Sequence, residues 1–568
     1  MLTTPAASQP TMLMPGVTYD EQVQFTFHGP SVIHVLTMPR PGGLWSLKPV
    51  LSNDAILGTE RVTAIQKRLA PFATVAGVNG DRFSSNGRPS GILMRDGQLQ
   101  QAPGESRSSI GFDSSGNLRV DRLRLLATWQ GTGQRQNLAA VNNSPSSSGM
   151  SLYTPSWGLT TPVAPGSYEV VLRPFPGTVP NVEIAGPVTE SRDGGATTIP
   201  RDGAVLVARG TVAINRLRNE APVGRSVRVR LILQPDWAGV VDALGGGPAL
   251  VRGGKAVFNA GEAFVPGQLA LPEPRTAVGQ LADGRIVLVV VDGRRPGYSS
   301  GMTNFELALT LTRLGAVSAA ALDGGGSSTM AFDGQLLSRP SGSTERPVSE
   351  ALLMVYSGVH VPLPKETVVS PNGDGVAESQ ELGYKLVRPS IVTASLVAPD
   401  GSTRPVFSGQ APAGTYPFTW TGLTAEGAIE PEGLWRWVVS AVDDRGQASS
   451  FERPFSLNTT LGFAEAVPPA LSVPRRRAKV VAQFALTRAA SITTRIETLS
   501  GTVVRKADPA ETLQAGTATA SWDGRSNKGA SVHSGTYVAR MTAKNSAGTV
   551  SLTSKFSVRR MRSGKAAR

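Results

Sequence analysis

The sequence predicts a mixed α/β (α+β) first domain with an inserted β-rich subdomain, followed by two all-β sandwiches. Three observations carry that expectation. Residues 285–328 read strand, helix, strand. Residues 125–240 read as short strands split by Gly, Pro and Asn. Residues 367–457 and 470–558 repeat one pattern of turns and aromatic residues. A chain of 568 residues is also too long for a single core.

In the first domain, Arg285-Ile286-Val287-Leu288-Val289-Val290-Val291-Asp292 is an apolar run of strand length ending on a carboxylate. Thr303 to Gly315 follows. Leu307, Leu311 and Leu314 share one helical face, Thr303 and Glu306 form a capping-box pair, and Gly315 is a stop. Val317 to Leu322 is a second buried-strand run, closing on Asp323-Gly324-Gly325-Gly326-Ser327-Ser328-Thr329. A helical crossover implies parallel pairing, so Asp292 and Asp323 should open onto one crevice at a shared sheet edge. A plain strand-to-turn glycine run remains the alternative for 323–329.

Upstream, residues 17–51 alternate apolar and polar residues, as antiparallel strands with a turn at Gly29-Pro30 do. Arg61 to Leu69 predicts a helix and Phe72 to Val78 a buried strand ending on Asn79-Gly80-Asp81-Arg82-Phe83. Ala76-Gly77-Val78-Asn79-Gly80 and Ala320-Ala321-Leu322-Asp323-Gly324 share one build. They suggest two related halves delivering polar groups to one site, or a coincidence of two ordinary strand ends. Residues 87–123 read as a meander turning at Asp96-Gly97 and Ser115-Gly116. Gly245-Gly246-Gly247-Pro248 is another glycine-rich strand end. In Pro274-Arg275-Thr276-Ala277-Val278-Gly279, an arginine beside a hydroxyl could clamp an anion or make a surface salt bridge.

Val361-Pro362-Leu363-Pro364 reads as a stiff linker. Phe418-Thr419-Trp420-Thr421-Gly422 and Gly433-Leu434-Trp435 in one repeat match Ala520-Ser521-Trp522-Asp523-Gly524 and Gly535-Thr536-Tyr537 in the next, as in sandwiches of about 90 residues. Within Ser370 to Glu378, oxygen side chains alternate around glycines. Asn372 and Asp374 could hold a structural calcium, or form an ordinary turn.

Composition narrows the chemistry. Zero cysteines exclude disulfides, thiolate zinc and a cysteine nucleophile. The four histidines are scattered, without paired-ligand spacing. The net charge of +14 is spread out apart from Arg475-Arg476-Arg477 and the tail 559–565. There is no nucleic-acid-binding signature, and attraction to an anionic polymer or envelope surface explains that charge at least as well as nucleic acid does. Mean hydropathy is −0.07 and no apolar stretch has membrane-spanning length. Residues 1–15 lack the features of a secretory signal, which leaves an intracellular protein or a signal missing from this start.

Residues 15–358 resemble the phosphodiester glycosidase family, to which the catalytic domain of the uncovering enzyme belongs. The resemblance rests on Asn79 to Phe83, Gly91-Ile92-Leu93, Gly245 to Pro248, Pro274 to Gly279, Ser300-Gly301-Met302-Thr303, Leu322 to Ser328, and Glu345-Arg346-Pro347-Val348-Ser349. It implies a catalytic domain, with 125–240 as its insertion. The units at 365–458 and 468–560 resemble the immunoglobulin-like domain of the flagellar hook-capping protein, the second more strongly.

The family implies hydrolysis of a sugar-1-phosphodiester, of N-acetylglucosamine-1-phosphodiester type, to the sugar and a phosphomonoester. Such chemistry uses carboxyl groups, and Asp81, Asp292, Glu306 and Asp323 are the candidates, Asp323 first. Glu306 is discounted because helix capping already explains it. Arg275, Arg346 and the backbone at Gly324, Gly325 and Gly326 fit a phosphate. Asn79, Thr276, Gly301, Thr303, Ser327 and Ser328 complete the expected substrate contacts. No cofactor is required. The expected partner is a glycan or glycosyl phosphodiester and the expected place is extracellular or wall-associated. The alternative is an inactive wall-binding or structural protein.

Overall fold

Ile286–Val291 is a strand with both faces buried, and its alternating side chains enter two different cores. Val287, Val289 and Val291 pack with Leu307, Ala308 and Leu311 of helix α4 (Asn304–Arg313). Leu288 and Val290 pack with Ala76, Val78, Leu352 and Met354 of a second sheet. On that sheet's far side, Ala331, Ala351 and Leu353 meet Val62 and Ile65 of α1 (Val62–Leu69). The centre of the first unit is therefore two face-packed sheets with one helix outside each.

The computed structural model describes residues 10–144, 148–373, 375–467, 470–473, 479–506 and 511–560. Two units divide between Ser357 and Gly358. In the first, one sheet runs Thr11–Met14, Val17–Thr26, Gly29–Met38, Ile286–Val291, Arg275–Leu281, Ala316–Ala321, Ala249–Arg252, Lys255–Ala256. The second runs Gln335–Leu336, Met330–Phe332, Thr74–Asn79, Glu350–Tyr356, Trp45–Leu51.

This unit is a β protein rather than α/β or α+β. Helix α4 does cross between two strands running the same way. Those strands are not neighbours, because Arg275–Leu281 lies between them and pairs antiparallel with each. Periodicity identifies a strand but not which strand fills the place beside it. The first hairpin turns at 27–28, and Gly29 already opens the next strand.

Strands from Arg124–Gln130 to Ser226–Gln234 form a separate eight-stranded sheet around Trp129, Leu206, Val229 and Leu231, with α2 (Thr211–Glu220) packed on it through Leu217. Between this sheet and the central pair, two hairpins at 93–101 and 109–121 flank Val240–Gly245 in a five-stranded sheet, so the meander expected over 87–123 is split by a strand from far along the chain.

The second unit holds two sandwiches of matching construction. In the first, Val368–Val369 pairs parallel with Ala448–Leu457; in the second, Ala470–Val473 pairs parallel with Gly548–Arg560. Trp420 packs on Trp435 and Phe455 at 4.8 and 5.3 Å between centroids, as Trp522 packs on Tyr537 and Phe556 at 5.6 and 5.9 Å. The ring polar atom of each strand-opening aromatic reaches back four residues. Trp435 Nε1 donates to Pro431 O and Tyr537 Oη to His533 O.

Candidate active site

Two strand ends, one from each central sheet, meet head to head. Thr74–Asn79 ends on Asn79, which is fully buried, and Ala316–Ala321 runs out to Asp323. Asp323 N donates to Gly80 O at 3.1 Å, and Asn79 Nδ2 donates to Asp323 O at 2.8 Å. Asn79 Oδ1 accepts from Thr276 Oγ1 at 2.8 Å and from Thr329 N at 3.1 Å. Asn79 thus spends its amide on the backbone of the Asp323 loop, and Thr276 holds it from the neighbouring strand. The two similar motifs in the sequence become a single junction.

Burial pushes the Asp323 carboxyl above the usual carboxylate range, and nearby Asp81 pushes the same way. Ser327, Arg82 and Arg346 pull it back. Arg82 Nε stands 3.8 Å from Asp323 Oδ1. Ser327 lies close enough to favour the charged form, although its hydroxyl completes no hydrogen bond. The hydroxyls of Ser328 and Thr329, also buried, likewise have none. Three consecutive buried hydroxyls without partners are costly unless something supplies acceptors or donors.

Behind Asp323 lies a second acidic group. Asp81 is buried, its Oδ1 bound by Arg107 Nη2, which also donates to Gly246 O at 3.1 Å. Asp81 N donates to Glu350 Oε1 at 3.2 Å. Full burial, with Asp81 adding to it, raises the Glu350 pKa to about 8. Asp81 Oδ2 makes no hydrogen bond and faces two glycines. A Cβ on Gly245 would stand 2.2 Å from that oxygen and one on Gly91 2.8 Å from it. These glycines are required by the space the carboxylate occupies.

A cleft of about 350 Å³ opens in front of Asp323, lined by Arg82, Arg275, Arg294 and Asn304. A strap at 257–271, containing α3 (Pro266–Ala270), forms its other wall. Glu262 fastens the strap by accepting from Ser108 N, Ser108 Oγ and Ala249 N at 2.7–2.8 Å. Phe264 lies against the guanidiniums of Arg82 and Arg107 at 4.9 and 5.5 Å. Arg275 fastens the other end: Nη1 donates to Gln268 O and Nη2 to Leu271 O, while Nε donates to Met302 O. Burial lowers its pKa to about 10. Arg275 borders the cleft, but its main engagement is with backbone carbonyls. Arg294, whose Nε donates to Glu273 at 2.5 Å, is half exposed and freer to meet a ligand.

Other expected residues lie elsewhere or act as supports. Asp292 is buried away from the cleft. It accepts from Tyr298 Oη at 3.0 Å and Arg339 N at 3.0 Å and meets His34 Nε2 at 3.0 Å. The shared crevice expected for Asp292 and Asp323 is therefore not formed. The intervening strand separates the two ends, and Asp292 follows Leu288 and Val290 onto the face between the sheets. Glu306 and Thr303 close the capping box of α4, with Thr303 N donating to Glu306 Oε2 at 2.8 Å and Glu306 N to Thr303 Oγ1 at 3.1 Å. Gly301, at φ 89°, lets Met302 bridge Glu273; a Cβ there would lie 2.5 Å from the Glu273 backbone. Gly324 and Gly325 line the cleft, Gly325 N donating to Pro274 O at 2.8 Å. Gly326 lies beside the exposed Arg346, which also stacks on Phe83 at 5.1 Å.

In the proposed calcium loop, Asp374 falls outside the described residues, as do Arg475 to Arg477 and most of the basic tail. Asn372 donates to Ser370 Oγ at 3.3 Å, and Glu378 accepts from Gly373 N and Gly375 N. Among the described residues, no three His, Cys, Asp or Glu gather as metal ligands, and no helix is long and apolar enough to cross a membrane.

Fold and cleft together describe a β-rich unit with a partly buried carboxyl at an arginine-lined pocket and two buried ones, Asp81 and Glu350, behind it. Comparison with known proteins narrows this. Residues 178–355 match the model of the phosphodiester glycosidase family and residues 474–547 that of the FlgD Ig-like domain. The matched stretch includes Arg275, Arg294, Asp323 and Glu350 and begins downstream of Asn79, Asp81 and Arg107. The SPbeta prophage-derived uncharacterized protein YomE of Bacillus subtilis (strain 168) is 39% identical over 88 residues, 16% of this chain and 14% of that protein. The chain thus matches about one-seventh of that relative's length. A hypothetical protein from Synechocystis is similar in structure, with 26% identity and a TM-score of 0.51 over 62% of this chain and 64% of that one. The alignment spans less than two thirds of the Synechocystis chain. The catalytic domain of zebrafish N-acetylglucosamine-1-phosphodiester alpha-N-acetylglucosaminidase aligns at 15% identity and TM-score 0.33, over 63% of this chain and 85% of that one.

Proposed function

We propose that the first unit hydrolyses the glycosyl bond of sugar-1-phosphodiesters of the N-acetylglucosamine-1-phosphodiester type, releasing the sugar and leaving a phosphomonoester. The observation that carries this reading is a partly buried carboxyl, Asp323, at a cleft bordered by Arg82 and Arg294 and backed by three hydroxyls without partners. In the reaction water adds to C1 of the sugar, the C1–O bond breaks, and its electron pair goes to the phosphate oxygen. A phosphate ester leaves as a weak base, so it needs cations more than a proton. Arg82 and Arg294 supply them. Asp323 works on the sugar side, as the carboxylate facing the positive charge that develops at C1. Arg107 and Glu350 hold Asp81 behind it, and Asn79 and Thr276 fix the loop.

The substrates are envelope or extracellular glycans. The net charge of +14 supports attraction to an anionic envelope polymer, and the sandwiches would hold the enzyme there. The test is sugar release from N-acetylglucosamine-1-phospho-methyl ester by the full chain and by Asp323→Asn. Release by the wild type, reduced at least about a hundredfold in the variant, is expected. Its acid limb should fall at higher pH than an ordinary carboxylate gives, because the Asp323 pKa is raised. No release by the wild type would favour an inactive wall-binding protein, and equal release by the variant would remove Asp323 from the chemistry.

A further inference from the structure

The cleft has one cationic wall and one apolar wall. Opposite Arg82 and Arg294 stand Val265 and Leu271 of the strap, which leave 62% and 55% of their surfaces exposed. The apolar surface continues onto the next element. Asn304, itself in the cleft, opens α4, and its Nδ2 donates to Gln268 O of the strap at 3.2 Å. One residue on, Phe305 shares a helical face with Leu309, and both are exposed. Phe258, at the strap's start, meets the Phe305 ring edge-on with centroids 5.1 Å apart and is 81% exposed. Single exposed apolar side chains are ordinary. Five on two adjoining elements, beginning inside the cleft, form a track.

We propose that the second alcohol of the phosphodiester is a long-chain aliphatic one. Its chain leaves the cleft past Val265 and Leu271 and lies against Phe258, Phe305 and Leu309. This rests on the hydrolytic reading and names its substrate class, a glycosyl phosphate esterified to an alkyl or prenyl alcohol. Water adds across the C1–O bond, the sugar departs with the new hydroxyl, and the alkyl phosphate keeps its tail. The occupant is a chain rather than a second copy of the protein because the track starts at the anion-binding wall, where a lipid phosphate has its junction of charge and hydrocarbon.

The experiment compares kcat/KM for the methyl, octyl and triethylene-glycol esters of N-acetylglucosamine-1-phosphate. The octyl ester should exceed both others by at least about tenfold, since each buried methylene favours binding. Leu271→Ser and Leu309→Ser should each cut the octyl-to-methyl ratio by about threefold or more. Equal values, or preference for the glycol ester, overturn the aliphatic assignment and leave the hydrolase standing. If no ester is cleaved the hydrolase reading fails, and calorimetry with octyl phosphate and inorganic phosphate decides the subsite. Tighter octyl phosphate binding, weakened by Leu271→Ser, supports it; equal affinities overturn it. A concentration-dependent dimer abolished by Leu309→Ser would give the track to a second copy and also overturn it.

Discussion

Glu350→Gln isolates the electrostatics of the buried acidic pair. Glu350 is fully buried, one of its oxygens accepts from Asp81 N at 3.2 Å, and its pKa rises from 4.5 to about 8. A carboxyl with a raised pKa is protonated in the fold at pH values where it would be ionised in the unfolded chain. Its stabilising contribution is therefore complete below pH 4.5 and is lost as pH rises toward 8. A gap of that size corresponds to on the order of 5 kcal/mol across the window, less where the pocket relaxes. Glutamine preserves the shape and the acceptor oxygen and cannot ionise. Urea denaturation of the full chain at pH 5 and pH 8 reads the effect in the transition the substitution moves. The two proteins should agree within about 1 kcal/mol at pH 5, and the variant should be more stable by several kcal/mol at pH 8. Equal destabilisation at both pH values would mean that Glu350 is an ionised, paired carboxylate, and the reasoning would be refuted.

Two further substitutions test the supports of the site. Gly245→Ala places a methyl group 2.2 Å from Asp81 Oδ2, so sugar release should fall at least about a hundredfold while circular dichroism still reports a folded β protein. Unchanged activity would show that Asp81 is free to move. Arg275→Lys cannot reproduce the three-carbonyl grip; hydrogen exchange at Gly267–Leu271 should quicken about tenfold, with KM rising more than kcat falls. A variant with unaltered strap exchange and lost phosphate affinity would return Arg275 to the anion-clamp role.

The elements closest to local chemistry were legible in the sequence. The capping box of α4, the strand ending at Asn79, the hairpin turn at Asp96-Gly97 and the tandem aromatic turns depend on neighbours along the chain. So does the likeness between Asn79-Gly80 and Asp323-Gly324, which the structure turns into a hydrogen-bonded junction. Sheet order was not legible. Val317 to Leu322 looks the same whether its neighbour is parallel or antiparallel, and that choice decides whether Asp292 reaches the site. Arg107 and Arg294 sit in irregular loops with no motif around them. Glu350 left a fainter signal. It is a carboxylate opening the apolar run Ala351-Leu352-Leu353-Met354-Val355, directly after the motif ending at Ser349. A charged residue heading a strand buried on both faces needs a reason, and here it is the neighbouring Asp81. Arg275 shows the converse, a residue rightly placed beside the cleft whose side chain grips carbonyls that no local pattern reveals.

The central claim is that the bond broken joins the sugar carbon to oxygen. Hydrolysis of N-acetylglucosamine-1-phospho-methyl ester in ¹⁸O-labelled water, with mass analysis of both products, tests it directly. Label in the released sugar and none in the methyl phosphate is the predicted result. Label in the phosphate would mean attack at phosphorus, and a glycosidase built around Asp323 would be contradicted.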